Sequence, residues 1–352
     1  MFDLGMGIGV AVQKTIQAAI AALKTGLLSL LTPNTISVIG TNVYPFSILI
    51  DPADKHVYFF DNVGISHYTR DLITGLLTAS EFLTVATSKV GGISPDGKFL
   101  YASTTNTILI YSINATTGVL TLSSTHTKST AYSTSSNHQF TSDGLFMYCE
   151  NGSSGGFNGY NVNTTTGALT LIGFYSFPTL YRLTMSPDGK NVYGASSSNI
   201  SQKTRNLSTG VLTDMVPATI AGGTTITHIV FRDDSNMYTI DQTANLIRHY
   251  SRDPATGILT FVNNISIPAN SEQLRISKDG LTLYIMNTSA NKSIGQIKIN
   301  TDGSLSALTP ASISLPNYAT DILPTNDNNN VYVGNIDPAF TAPGVIYQFK
   351  RD

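Results

Sequence analysis

Ile93-Ser94-Pro95-Asp96-Gly97-Lys98-Phe99-Leu100-Tyr101, followed by Ile108-Leu109-Ile110-Tyr111 and Thr117-Gly118-Val119-Leu120-Thr121, is the stretch that decides the fold. An apolar strand runs into an Asp-Gly turn, a second strand ends in tyrosine, a third follows, and a Thr-Gly turn leads into a fourth. Asp-Gly supplies the positive φ angles that a tight hairpin between twisted strands requires. Four short antiparallel strands are thus encoded within one local unit.

The unit recurs along the chain. Its second-strand tyrosine aligns at Tyr58, Tyr101, Tyr148, Tyr193, Tyr238, Tyr284 and Tyr332, at intervals of 43 to 48 residues. The first turn is clear in Ser142-Asp143-Gly144, Ser186-Pro187-Asp188-Gly189 and Lys278-Asp279-Gly280, and reduced in Asp51-Pro52-Ala53-Asp54, Asp233-Asp234 and Asp327-Asn328. These aspartates read as turn formers. The second turn, Thr-Gly-x-Leu-(Ser/Thr) or a relative, begins at Thr25, Thr74, Thr117, Thr166, Thr209, Thr256 and Asp302, which again makes seven.

The two counts are out of phase at the ends. Gly26-Leu27-Leu28-Ser29 belongs to a second turn with no preceding blade, and the chain stops at Tyr347-Gln348-Phe349-Lys350-Arg351-Asp352 without one. In other blades Tyr68-Thr69-Arg70-Asp71 and Tyr250-Ser251-Arg252-Asp253 stand at that point, directly before the turn. Residues 26–39 are therefore expected to supply the outer strand of the seventh blade. The fold predicted is all-β: a seven-bladed β-propeller over residues 25–352, closed by its N-terminal strand.

Composition agrees and excludes some functions. Charged residues are 12% of the 352, about half the usual share, and the net charge is −2 with no Lys/Arg cluster, so no nucleic-acid partner is expected. The single cysteine, Cys149, lies in an apolar strand pattern and reads as a small core residue. His56, His67, His126, His138, His228 and His249 have no partner at metal-ligand spacing, and no cofactor or metal is expected. His138 and His228 precede the first turns of blades 3 and 5 by similar distances, which suggests that they approach each other near the axis. Asn-x-Ser/Thr sequons, as at Asn114, Asn151 and Asn163, read as chance in so Ser/Thr/Asn-rich a chain. Gly91-Gly92, Gly155-Gly156 and Gly222-Gly223 lack the strand-to-helix setting of a phosphate loop.

The repeat unit around residues 93–121 resembles the seven-bladed lactonase family, which includes 6-phosphogluconolactonase-like enzymes. The resemblance extends over nearly the whole propeller and lies in fold-making residues. It implies inner-strand histidines, three or four residues before the first turn, that point into a central pocket. Here those positions hold Phe46/Ser47, Lys89/Val90, Ser136/Asn137, Tyr181/Arg182, Ile226/Thr227, Glu272/Gln273 and Thr320/Asp321, with no histidine. Arg182, Glu272 and Asp321 remain as inner-strand side chains for the axis, with His138 and His228 near them.

Residues 1–24 stand outside the repeat. Val12, Ile16, Ala19, Ile20 and Leu23 follow a helical period with Gln13, Lys14 and Gln17 opposite, so a short amphipathic helical arm is expected. Only Asp3 is charged ahead of the apolar run, unlike a secretory leader, and the interruptions shorten it below a membrane span. Met6, Ile8, Val12, Ile16, Ile20 and Leu23 are read as a surface for a protein partner, with Gly5, Gly7 and Gly9 allowing close backbone approach.

The primary reading of the sequence is a non-enzymatic structural or binding propeller held in a larger assembly, such as a virus or phage particle or a surface array, by residues 1–24. A lactonase-like hydrolase acting in the central pocket is the alternative. A third reading is a carbohydrate-binding or adhesive propeller that stacks glycans on Tyr132, Tyr175 and Tyr181.

Overall fold

In the computed structural model the described residues are 26–39, 46–61, 63–85, 90–128, 137–150, 155–177, 182–287, 292–337 and 344–352. The expected helical arm and its partner surface at Met6, Ile8, Val12, Ile16, Ile20 and Leu23 lie outside them. Every regular element among the described residues is a strand. They form seven four-stranded antiparallel sheets, each with its strands in sequence order except the last.

The last sheet has the order predicted from the phase of the turns. Leu28–Ser37 pairs antiparallel with Val345–Arg351, Leu28 opposite Arg351 and Ser37 opposite Val345, with a register shift between Leu30 and Thr35. Backbone bonds extend the seam at both ends. The Gly26 N–H donates to the Asp352 carbonyl at 2.8 Å, and the Val38 N–H to the Gly344 carbonyl at 3.0 Å. No blade lacks its outer strand, so the ring has no unpaired junction.

Each blade is tied to the next by one repeated side-chain bond. The hydroxyl of each second-strand tyrosine donates to the glycine carbonyl in the second turn of the following blade, at 2.5 to 3.1 Å. The pairs are Tyr58 to Gly118, Tyr101 to Gly167, Tyr148 to Gly210, Tyr193 to Gly257, Tyr238 to Gly303, Tyr284 to Gly26 and Tyr332 to Gly75. Burial raises the pKa of all seven phenols, so the donor proton stays in place.

The turn residue must be glycine for two reasons. Gly118 has φ 74°, and a Cβ there would sit 2.3 Å from both His56 Nδ1 and His67 Nε2. Between these bonds lie seven apolar clusters, one per junction. In that between blades 2 and 3, Tyr101, Ile108, Met147, Cys149 and Tyr160 pack together, and Cys149 is the buried core residue its surroundings indicated.

The seam formed by the chain ends should behave like any other junction. Tyr284→Phe and Tyr148→Phe are each expected to lose about 1 to 3 kcal/mol of stability, because a buried glycine carbonyl loses its donor. Urea denaturation of the two variants checks this; an effect at Tyr148 with none at Tyr284 would show that the N-terminal strand does not close the ring.

Candidate functional site

Alternation along a strand sends every second side chain to the same face. On the inner strands, Leu49, Gly92, Gln139, Thr184, Val230, Arg275 and Leu323 are the residues opposite the seven tyrosines. Two pairing positions away on the same face stand Ser47, Val90, Asn137, Arg182, His228, Gln273 and Asp321. These two tiers line an axial cavity of about 580 Å³. Blades 1 and 2 contribute small or apolar groups, and blades 3 to 7 contribute most of the polar ones.

Histidine therefore does occupy the inner ring, contrary to the sequence-based assignment. In blade 4 the first turn is closed by Ser186 and Asn191, five residues apart, whereas in blade 5 it is closed by Arg232 and Asn236, four apart. A further register shift lies between Ile226 and His228. Counting back eleven or twelve residues from the tyrosine, as in the other blades, therefore reached Thr227 and Ile226, whereas His228 stands ten before Tyr238.

Arg182 and His228 meet at the axis. Arg182 Nε and Nη2 lie 3.2 and 2.8 Å from His228 Nε2. A guanidinium only donates, so Nε2 is the acceptor and the imidazole proton is on Nδ1. Burial, reinforced by the charges of Arg182 and Arg275, holds the His228 pKa well below its ordinary value and keeps the ring neutral. Asp321 lies on the opposite side of this tier from blade 4. It accepts from Arg275 Nη2 at 2.8 Å and from the Ile48 N–H of blade 1 at 2.9 Å.

The other expected site residues are placed elsewhere. Glu272 is exposed at a bulge between Ser271 and Gln273, and it is Gln273 that faces the cavity. His138 contributes to the cavity wall, but it pairs with Cys149, one residue beyond Tyr148, whereas His228 pairs with Ile240, two beyond Tyr238. That difference of one turns the His138 ring toward blade 2, where Nε2 lies 3.1 Å from Ser103 Oγ. The two histidines thus engage different blades. Desolvation lowers the His138 pKa to about 3.

Sequence reasoning named His228 near the axis but missed Arg275 and Glu150. Arg275 was legible as the residue two beyond Gln273 on the same strand face. Glu150 gave no signal, because it ends a second strand. Its Oε1 accepts the Leu183 N–H at 2.5 Å and its Oε2 the Asn137 N–H at 3.2 Å, which joins the inner strands of blades 3 and 4. Burial raises its pKa to about 7, with Arg182 acting in the opposite direction.

Among the described residues no group of three His, Cys, Asp or Glu side chains is placed to hold a metal, and no helix is long and apolar enough to cross a membrane. Of the proposed glycan platforms, Tyr132 and Tyr181 lie outside the described residues. Tyr175 packs 5.3 Å from the Phe157 ring and accepts the Leu212 N–H at 3.1 Å, a packing role at a blade junction.

A family model described as a lactonase with a 7-bladed beta-propeller matches residues 86–179. No curated protein sequence matches the chain. Among solved structures, a candidate 6-phosphogluconolactonase from Bacteroides fragilis superposes with a TM-score of 0.66 at 18% identity, covering 80% of this chain and 89% of its own. The periplasmic gluconolactonase of Pseudomonas aeruginosa gives 0.66 at 13% identity, covering 88% and 95%. The propeller domain of Cps50 from Myceliophteria thermophila gives 0.67 at 10% identity, covering 93% and 100%. At these identities the likeness is one of fold, and the chain resembles the lactonase-type seven-bladed propeller at that level.

The site has a titration signature. Between the ordinary Glu value of 4.5 and about 7, folded Glu150 retains a proton that the unfolded chain has released, so its contribution to stability falls as pH rises through that window. All six histidines are shifted downward and act in the opposite sense, removing stability as pH falls below 6.5. Comparing wild type with Glu150→Gln by urea denaturation at about pH 5 and about pH 7.5 isolates the carboxyl. Relative to the variant, the wild type should lose stability at the higher pH. Parallel behaviour of the two proteins would contradict the assignment.

Proposed function

We propose that the chain is a hydrolase of small anionic lactones that works in the axial cavity, with a lactone of a phosphorylated or oxidised sugar as the substrate class. The observation that carries this reading is the contact between the Arg182 guanidinium and the neutral His228 imidazole inside a closed ring. Among the described residues no carboxylate comes within ion-pairing distance of Arg182, while the only acidic side chain lining the cavity, Asp321, is paired with Arg275. One net positive charge therefore faces the cavity, together with the amides of Asn137, Gln139 and Gln273 and the hydroxyl of Thr184 for substrate hydroxyls.

The chemistry follows from these groups. Water attacks the lactone carbonyl carbon while His228 Nε2 takes its proton, and the charge that develops on the carbonyl oxygen is met by guanidinium donors. The ring C–O bond then breaks, and the departing alkoxide recovers the proton from the imidazolium, leaving a hydroxy acid. In the resting structure Arg182 covers the Nε2 lone pair. An anionic substrate that draws the guanidinium onto itself frees the base, so binding and activation are linked. The gluconolactonase and the candidate 6-phosphogluconolactonase among the structural relatives support this reading over the assembly reading, which rests on residues 1–24.

Gluconolactone and its 6-phosphate are the first substrates to assay, as acid release above the spontaneous rate. Arg182→Ala and His228→Ala are each expected to reduce kcat/KM by about 100-fold or more. A wild-type rate equal to that of buffer, or full activity in both variants, would sink the proposal.

A further inference from the structure

The repeat exposes a second site on the face that carries the first turns. At four blade junctions the third strand ends in an arginine: Arg70, Arg205, Arg252 and Arg351. Their backbone positions are equivalent, since each N–H donates to the residue that follows the first turn of its own blade, on Lys55, Lys190, Ser235 and Asn329 respectively. Each guanidinium also donates to a carbonyl of that turn, on Asp54, Gly189, Asp234 and Asn328. Three reach across the junction to a turn carboxylate of the preceding blade: Arg70 to Asp327 at 2.7 Å, Arg252 to Asp188 at 3.0 Å and Arg351 to Asp279 at 2.6 Å. The fourth, Arg205, lies 5.3 Å from the centre of the Phe146 ring and interacts electrostatically with Asp143.

In blade 3 this position is Val162, whose N–H donates to the Leu145 carbonyl in the same way. Most of what receives an arginine elsewhere is present, although Phe99 stands where Asn191, Thr282 and Asn330 each accept an arginine N–H in the sockets that hold a turn carboxylate. Asp96 stands where Asp188, Asp279 and Asp327 stand, and accepts the Ser94 hydroxyl at 2.7 Å as Asp188 accepts that of Ser186. The Gly144 carbonyl corresponds to that of Gly189, and the Phe99 ring to that of Phe146. Instead of a side chain there is a cavity of about 180 Å³ lined by Asp96, Phe99, Asp143, Gly144 and Val162. That is about six times the share of one water in the liquid.

The two remaining junctions also lack an arginine at this position. Ile113 faces a turn in which Ala53 replaces the aspartate, and at Ile299 the shortened turn of blade 5 keeps Asp233 while Arg232 reaches across the junction to the Asn300 carbonyl at 2.8 Å. Nor does Lys98 fill the place. It meets Asp96 at 3.0 Å with its side chain 64% exposed, and Lys190 makes the same kind of contact with Asp188 while Arg252 occupies that junction.

We propose that the pocket between blades 2 and 3 binds an alkylguanidinium group from outside the propeller, held by the Asp96 carboxylate and the Gly144 carbonyl over the Phe99 ring. The pocket combines the turn carboxylate of the Arg70, Arg252 and Arg351 sockets with the ring and turn carbonyl of the Arg205 socket, and the cation is supplied by a ligand instead of by residue 162. Carboxylate and ring together select a planar cation that both donates hydrogen bonds and stacks, a combination an ammonium does not reproduce.

The test uses the full chain and ethylguanidinium as probe, with ethylammonium at the same ionic strength as control. Expected are a saturable displacement of the Val162 methyl resonances and a rise of a few degrees in the unfolding temperature, both absent with ethylammonium. Val162→Arg fills the socket from within, so it should raise the unfolding temperature by itself and abolish the response. Asp96→Asn should abolish the response without filling the socket, and it serves alone if the arginine variant does not fold. Capped arginine amide binding more tightly than free arginine, whose carboxylate meets Asp96 and Asp143, would assign a polypeptide source; the reverse order would assign the free amino acid. Equal responses to ethylguanidinium and ethylammonium, unmoved Val162 methyls, or a response that survives in both variants would overturn the proposal.

Discussion

The bond from a buried tyrosine hydroxyl to a glycine carbonyl in the next blade is the constraint on which the rest of the structure depends. It links the second strand of one sheet to the turn before the outer strand of its neighbour, and so holds adjacent blades in one relative position. Because it runs through all seven junctions, including Tyr284 to Gly26 and Tyr332 to Gly75, the ends of the chain are held by the same geometry as its middle. Apolar clusters between the blades supply most of the burial, but they are not directional. The hydroxyl supplies direction.

Around this regular frame the inner strands are free to differ. The axial ring carries Ser47, Val90, Asn137, Arg182, His228, Gln273 and Asp321 at equivalent positions, and its chemistry comes from that loss of symmetry. Buried carboxylates stabilise the irregular parts. Glu150 joins blades 3 and 4 through two backbone N–H groups, and Asp321 joins blades 6, 7 and 1 through Arg275, Ile322 and Ile48. The turn aspartates likewise do more than form turns, since three of them accept an arginine from the next blade.

The fold was legible because the tyrosine and the Thr-Gly turn are the two partners of one contact, so each count reports the same seven junctions from opposite sides. The candidate site was legible only in part. Arg182 and Asp321 were found because in blades 4 and 7 the ring residue stands eleven before the repeat tyrosine, as in most blades. His228 was displaced from its expected position by a shortened turn, and Glu272 gave way to Gln273 across a bulge. Arg275 was within reach as the next residue on the face of Gln273, but Glu150 belongs to no pattern that a single repeat displays.

By itself, then, the sequence determined the number of blades, the boundaries of the repeat and the closure by residues 26–39, because these follow from turn chemistry and from residue types that recur at fixed spacing. Only the tertiary structure decided which side chains meet: Arg182 with His228, His138 with Ser103, and Val162 with an arginine socket it does not fill. The physical reason is parity. On a strand, one residue of slip carries a side chain to the opposite face, and such slips are set by bulges and turn lengths that become definite only when the sheets pack around their axis.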